Sequence, residues 1–235
     1  MKLTDNIRRI LSALLVFALF FSLAPVDAFA AGEDAVVVIS GSDYQQKGTA
    51  PQSNTTSILN QIKKDYTTAD GFLFGGDYYQ DTLDTTTKSK EGKEELDAAV
   101  SAAFPNLADR VYIQGNHDND SLVSDGTLSA TGAHDTAHYG VYAINEKDYP
   151  WGWQASSSFQ STCKNTANNL DAYLDAKADA GYTQPIFVIT HVPLHFSPRT
   201  SSMGDGKYAK YLYDVLDEGG DKGLNIIFLF GHNHS

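Results

Sequence analysis

Arg110-Val111-Tyr112-Ile113-Gln114-Gly115-Asn116-His117-Asp118 is the stretch that decides the fold. Its first five residues form an apolar run that reads as a buried strand. Its last four are a glycine and three polar side chains with ligand or acid–base chemistry, standing where that strand ends. In open α/β sheets, sites form at the carboxyl ends of strands. The arrangement recurs four more times. Val36 to Ser40 runs into Asp43, Phe72 to Gly75 into Asp77, Ile186 to Thr190 into His191, and Ile226 to Phe230 into Gly231-His232-Asn233-His234. Five apolar strands each delivering Asp, Asn or His at the same end point to one metal-binding cluster.

Between these strands the sequence turns helical. Asn54 to Tyr66 carries Ile58, Leu59 and Ile62 on one face, behind a run of possible capping residues. Lys90 to Phe104 ends at Pro105. Thr166 to Ala180 and Lys207 to Leu216 each carry an apolar face. Tyr139 to Ile144 is a further expected strand. Asp118 to His138, rich in Ser, Thr, Gly and Asp, reads as a long loop. Strands alternating with helices imply an α/β domain.

The first thirty residues read differently. Lys2, Arg8 and Arg9 precede an apolar run from Ile10 to Leu23, and Ala28-Phe29-Ala30 has the small-x-small form of a cleavage site. Residues 1–30 are therefore expected to be a signal peptide, with one domain over residues 31–235 outside the cytoplasm, secreted, cell-surface or periplasmic. No later stretch has the length and apolarity of a membrane span. The formal net charge is −12, and loss of the basic leader leaves the rest more acidic. That argues against long nucleic acid or an anionic membrane as partner. It leaves open a small phosphorylated substrate, since bound cations would dominate the local field. Cys163 is the only cysteine, so no internal disulfide can form. With no local base beside it, it reads as a plain thiol.

The individual residues carry chemistry as follows. Asp77 follows Gly75 and Gly76, which have no side chains to obstruct a ligand. Its two oxygens can bridge two cations, whereas a turn aspartate bonding its own backbone is the plain reading of that residue alone. His232 and His234 stand at i and i+2 after a glycine that lets the chain bend, and neutral imidazole suits Zn, Fe or Mn. His195, Arg199, Trp151 and Trp153 could touch a substrate, but surface or partial core is the plainer account of each, as it is for His134 and His138.

Asp43-Tyr44-Gln45, Gly76-Asp77, Gly115-Asn116-His117-Asp118, His191 and Gly231-His232-Asn233-His234, in that order, together resemble the calcineurin-like metallophosphoesterase family. The resemblance covers nearly the whole chain after the leader. It implies two mixed β-sheets packed as a sandwich flanked by helices, with two divalent ions, Mn, Fe or Zn, between them. Asp43 and His234, with Gln45, would hold the first ion. Asp77 would bridge both. Asn116, His191 and His232 would hold the second. Two cations roughly 3.5–4 Å apart can clamp a phosphoryl group and hold a hydroxide for in-line attack. His117 would be the general acid for the leaving group, oriented by Asp118, in a secreted phosphoester hydrolase.

Three departures qualify this expectation. Gln45 stands where the family usually has His, which weakens the first ion site and favours harder cations. The sequence stops at Ser235, directly after the His-Asn-His motif, where family members continue with further strands, so the last strands and the domain's C-terminus are expected to be missing. Tyr79 falls one residue short of the iron-binding tyrosine position of the purple acid phosphatases, where Gln80 stands. Gln45 and the early stop motivate an alternative: a catalytically impaired metal- or phosphate-binding domain of the same fold.

Overall fold

Phe72-Leu73-Phe74 shows how the layers are built, because successive strand residues face opposite ways. Phe72 and Phe74 belong to a cluster shared with helices. Leu73 belongs to a different cluster, shared with a second sheet. A strand apolar at every position, as this one is, must be covered on both faces. The computed structural model describes residues 35–46, 50–80, 85–150, 157–194 and 209–232.

The first sheet has the order β1 (Val38–Gly41), β2 (Gly71–Phe74), β3 (Asp109–Tyr112), all parallel. Helices α1 (Ala50–Asp65) and α2 (Thr85–Ala103) follow β1 and β2. The second sheet has the order β4 (Gly132–Ala133), β5 (Gly140–Ile144), β6 (Ile186–Thr190), β7 (Ile226–Leu229). Only β4 runs antiparallel to its neighbour. Helix α3 (Ser121–Ser124) and a 3-10 turn (Glu146–Asp148) flank the short β4 hairpin. Helices α4 (Ser157–Asp179) and α5 (Ala209–Asp221) precede β6 and β7.

Three apolar layers hold this together. Ile39, Phe72, Phe74 and Tyr112 pack against Leu59 of α1 and Leu96 and Val100 of α2. Leu73, Val111 and Ile113 meet Val141, Ala143, Phe187 and Ile189 between the sheets. Tyr142, Ile144, Ile186 and Val188 pack against Leu170 and Leu174 of α4 and Leu212 of α5. Each fully buried Leu or Ile side chain contributes about 1.5–3 kcal/mol. Residues Val36–Ser235 form one unit.

The chain is thus α/β with two sheets, but only the second sheet is mixed. In the first, a helix after β1 and after β2 returns the chain to the same end, which makes every pair parallel. The segment expected as one long loop instead contains α3 and β4, and its turn between β4 and β5 supplies the antiparallel pair. α4 starts well before Thr166 because its first turns are polar and show no apolar period. No helix among the described residues is long and apolar enough to cross a membrane. Residues 1–30, Trp151, Trp153, His195, Arg199, Asn233 and His234 lie outside the described residues, as does Ser235.

Candidate metal centre

Past their last paired residues, β1 and β2 keep a backbone ladder going. Gly75 N donates to Gly41 O (2.7 Å), Asp43 N to Gly76 O (2.9 Å), Gln45 N to Asp77 O (2.9 Å) and Gln46 N to Tyr78 O (2.9 Å). This ladder bends because its residues leave the ordinary backbone regions. Asp43, Gln45 and Asp77 have φ of 56°, 47° and 62°, and His232, after β7, has 68°. These four are the non-glycine residues with positive φ among the described residues. Left-handed backbone costs a side-chain-bearing residue of order 1–3 kcal/mol and collects at functional sites. Here all four cases fall on residues singled out from sequence.

Gly76 and Gly115 let the β2 and β3 exits touch. Gly76 has φ of 91°, and a Cβ on it would collide with Gly115 N and stand 2.6 Å from Gly115 Cα. A Cβ on Gly115 would collide with the Asp77 carboxylate. Asp77, 1 % exposed, is therefore seated between two loops. Its Oδ1 accepts from His117 N (2.9 Å), and its Oδ2 lies 3.4 Å from His191 Nε2 and 4.0 Å from His117 Nε2.

The second sheet closes over this pair. His232 N donates to Asp43 Oδ2 (2.9 Å), tying the β7 exit to the β1 exit. His191 Nδ1 lies 2.6 Å from Gly75 O. A carbonyl only accepts, so Nδ1 carries the hydrogen and Nε2 is turned to the site, as in metal-binding histidines held by a backbone carbonyl. Asn116 Oδ1 lies 2.8 Å from both His191 Nε2 and His232 Nδ1, and those two nitrogens are 3.2 Å apart. One ligand atom each from Asp43, Asp77 and His191 falls within 4.8 Å of the others. This group could hold a metal ion, with two carboxylates and an imidazole as donors.

Charge follows from that packing. Burial raises the Asp77 carboxyl, but the His191 bond and charge and the His117 N–H outweigh it and hold it below the ordinary carboxylate range. Burial lowers His191, but its bond to Asp77 and the nearby Asp43 charge push it up to about 9. Among the described residues the side chains within ion-pair distance of Asp77 are the His191 and His117 imidazoles, with no Lys or Arg.

Asp118 plays a different part from the expected one. Its Oδ2 accepts from Asp77 N and Gly115 N (2.8 Å each), and its Oδ1 from Tyr78 N (3.1 Å). The turn closed by Asp118 N and Gly115 O (3.2 Å) folds the carboxylate under the loop rather than toward the imidazole. Asp118 clamps the β2 and β3 exits together and does not orient the His117 ring, whose Nδ1 is buried with no hydrogen-bond partner among the described residues. Burial and the Asp77 charge push the Asp118 carboxyl up to about 6.

Gln45 sits in the ladder and lines a cavity beside Asp43. His138 is exposed, and His134 Nε2 lies 2.7 Å from Ala130 O; neither joins the cluster. Cys163 is buried in α4, its thiol pushed up to about 11 by burial. Two supporting residues escaped the sequence reading. Asn145 is fully buried at the end of β5; its Oδ1 accepts from Gln114 N (2.7 Å), and its Nδ2 donates to Ser129 O and Thr131 Oγ1. Gln114 Nε2 donates to Asp120 Oδ1 (2.6 Å). Together they join the two sheets directly behind Asn116. The signal was present: Asn145 also follows an apolar strand.

No protein-family model matches the chain, and no curated protein matches it. The functional reading rests on this geometry.

Proposed function

We propose that the chain is an exported, metal-dependent phosphoester hydrolase of the metallophosphoesterase type. The observation that carries this reading is the meeting of Asp43, Asp77, Asn116, His191 and His232, from both sheets, with Asp43, Asp77 and His232 on left-handed backbone. A purely structural cluster has no need of strained backbone at Asp43, Asp77 and His232 together. In this reading Asp77 would serve two divalent ions, Asp43, Gln45 and His234 would hold one of them, and Asn116, His191 and His232 the other. Mn, Fe and Zn all suit that donor set.

Bound divalent ions would supply Lewis-acid stabilisation of the phosphoryl oxygens and acidify water. The chain's residues do the rest. Asp77 and the histidines fix where the phosphoryl group sits. The His117 ring, turned with Nε2 toward Asp77, holds the proton that the departing alkoxide takes. That role is worth about 10²–10⁴-fold. Asp118 keeps the His117 backbone in place through Gly115 and Asp77.

The test is hydrolysis of an aryl phosphate monoester and diester with Mn²⁺ supplied, then with chelator added. Chelator-sensitive turnover is expected. His117→Ala should lower kcat by about 10²–10⁴-fold with metal content nearly intact; an equal loss of metal would make His117 a ligand instead. Gln45, at the position where an imidazole is the stronger donor, favours one second reading, a metal- or phosphate-binding domain without turnover. A folded, metal-loaded protein with no chelator-sensitive hydrolysis would establish it.

A further inference from the structure

Helix α1 covers the first sheet incompletely. Of its sixteen residues, Ile58, Leu59 and Ile62 supply the large apolar side chains, and its N-terminal half presents Asn54 and Thr55. A helix with small polar residues over the ends of β1 and β2 cannot fill the space above them. The result is a cavity of about 590 Å³. Protein interiors hold few voids larger than a water molecule, whereas ligand sites run to about 300–1,000 Å³.

The cavity has two kinds of wall. Phe72, Phe74, Ile39 and Ile62 are apolar, and Asp43, Gln45, Asn54, Thr55 and Gln80 are polar. Asp43 belongs to the cavity and to the Asp43–Asp77–His191 group alike, so the two adjoin at this residue. Asp43 is also the one charged residue among the described residues lining the cavity. Ile58, which lines it as well, is 60 % exposed; an isoleucine left bare beside an apolar opening is surface that an occupant would cover.

We infer that this cavity is the subsite for the organic part of the substrate, and that this part is uncharged and apolar, aryl or alkyl. This rests on the hydrolase reading above and names its substrate class. The phosphoryl group lies at Asp43 and Asp77, and the ester oxygen's substituent runs under α1 onto Phe72 and Phe74. A second phosphate would find no Lys, Arg or His among the described lining residues and would meet the Asp43 carboxylate instead, which costs binding. Esters that carry a second phosphate, nucleoside polyphosphates among them, are therefore poor substrates.

Two measurements test this. Metal-free protein is titrated with N-phenyl-1-naphthylamine, a neutral fluorescent apolar probe. Metal-loaded protein is assayed on 1-naphthyl phosphate and on glycerol phosphate. Saturable probe binding is expected, weakened about tenfold by Ile58→Lys and by the space-filling Thr55→Trp. The ratio of kcat/KM for naphthyl over glycerol phosphate is expected to fall about tenfold in both variants. Ile58 is exposed, so its replacement spares the fold; if either variant fails to fold by circular dichroism, the other decides. Probe affinity or a substrate ratio that neither variant moves overturns the inference. If the wild-type protein hydrolyses neither ester, the hydrolase reading fails, and the probe titration still decides whether the cavity takes an apolar group.

Discussion

Asp77 and Asp97 are two aspartates beside the same sheet with opposite surroundings. Asp97, on α2, accepts from Arg110 Nη1 (2.7 Å) and Tyr112 OH (2.5 Å), with Lys93 Nζ at 4.0 Å. Its charge is answered by fixed cations, and its helix has ordinary backbone. Burial raises its carboxyl, but the Tyr112 and Arg110 bonds and the Lys93 charge hold it below the usual range. Asp77 is more deeply buried and meets imidazoles whose charge depends on pH. It sits on left-handed backbone directly after Gly76 and against Gly115. A carboxylate placed for stability recruits its own counter-charge; one placed at a cost in backbone strain beside a second carboxylate could hold a cation from outside.

The comparison can be broken where the two environments differ most. Gly76→Ala should cost about 3 kcal/mol, since it adds left-handed strain and a collision with Gly115. Denaturant unfolding of the purified variant measures this, and metal uptake should fall with it, because the same collision displaces Asp77. A variant as stable as the wild type would show that the β2 and β3 exits do not need to touch.

Asp97→Asn sharpens the other side. It should cost about 1–2 kcal/mol of stability by leaving Arg110 without its carboxylate, while metal affinity stays unchanged within about twofold. The same unfolding and metal titrations decide both points. A large loss of metal affinity would mean that the Arg110 cluster supports the site.

The two clusters should also answer pH in opposite directions. The folded value of His191 is raised from 6.5 to about 9. Its contribution to the stability of the metal-free protein is fully present below 6.5 and is lost as pH rises through about 9. The folded value of Asp97 is lowered from 3.8, so its contribution is present above 3.8 and is lost as pH falls through the lowered value. Since a ligating His191 must give up its Nε2 proton, metal affinity should rise by up to about tenfold per pH unit from 7 toward 9. Calorimetry in buffers of different ionisation enthalpy should show close to one proton released per chain near pH 7. No proton release would mean that His191 is neutral before metal arrives.

Much of this was legible in the residues. Apolar runs such as Phe72-Leu73-Phe74 and Ile186-Phe187-Val188-Ile189 can be covered only on both faces, so their place as central strands follows from composition. Because parallel strands bring their carboxyl ends together, Asp77 and Asn116 had to lie on the same rim of the first sheet. What the residues could not reveal depends on distance in the fold. Nothing near Asp118 indicates that its carboxylate would meet Asp77 N and Tyr78 N, 41 and 40 positions away. Asp and His tolerate left-handed backbone better than most residues, but nothing local to Asp43 or His232 requires it; their contact lies 189 positions apart. β4 escaped notice because a two-residue strand has no period to read.

The central claim, that the cluster of Asp43, Asp77 and His191 takes up divalent metal, is tested most directly by Mn²⁺ titration followed by electron paramagnetic resonance. Free Mn²⁺ gives a sharp six-line signal that vanishes on binding, so uptake can be counted in wild-type protein and in Asp77→Asn. The account predicts saturable uptake by the wild type, weakened at least about a hundredfold in a folded Asp77→Asn variant, since even outer-shell changes cost 10–100-fold. A folded wild-type protein that takes up no Mn²⁺, or an Asp77→Asn variant that binds it as tightly, would contradict it.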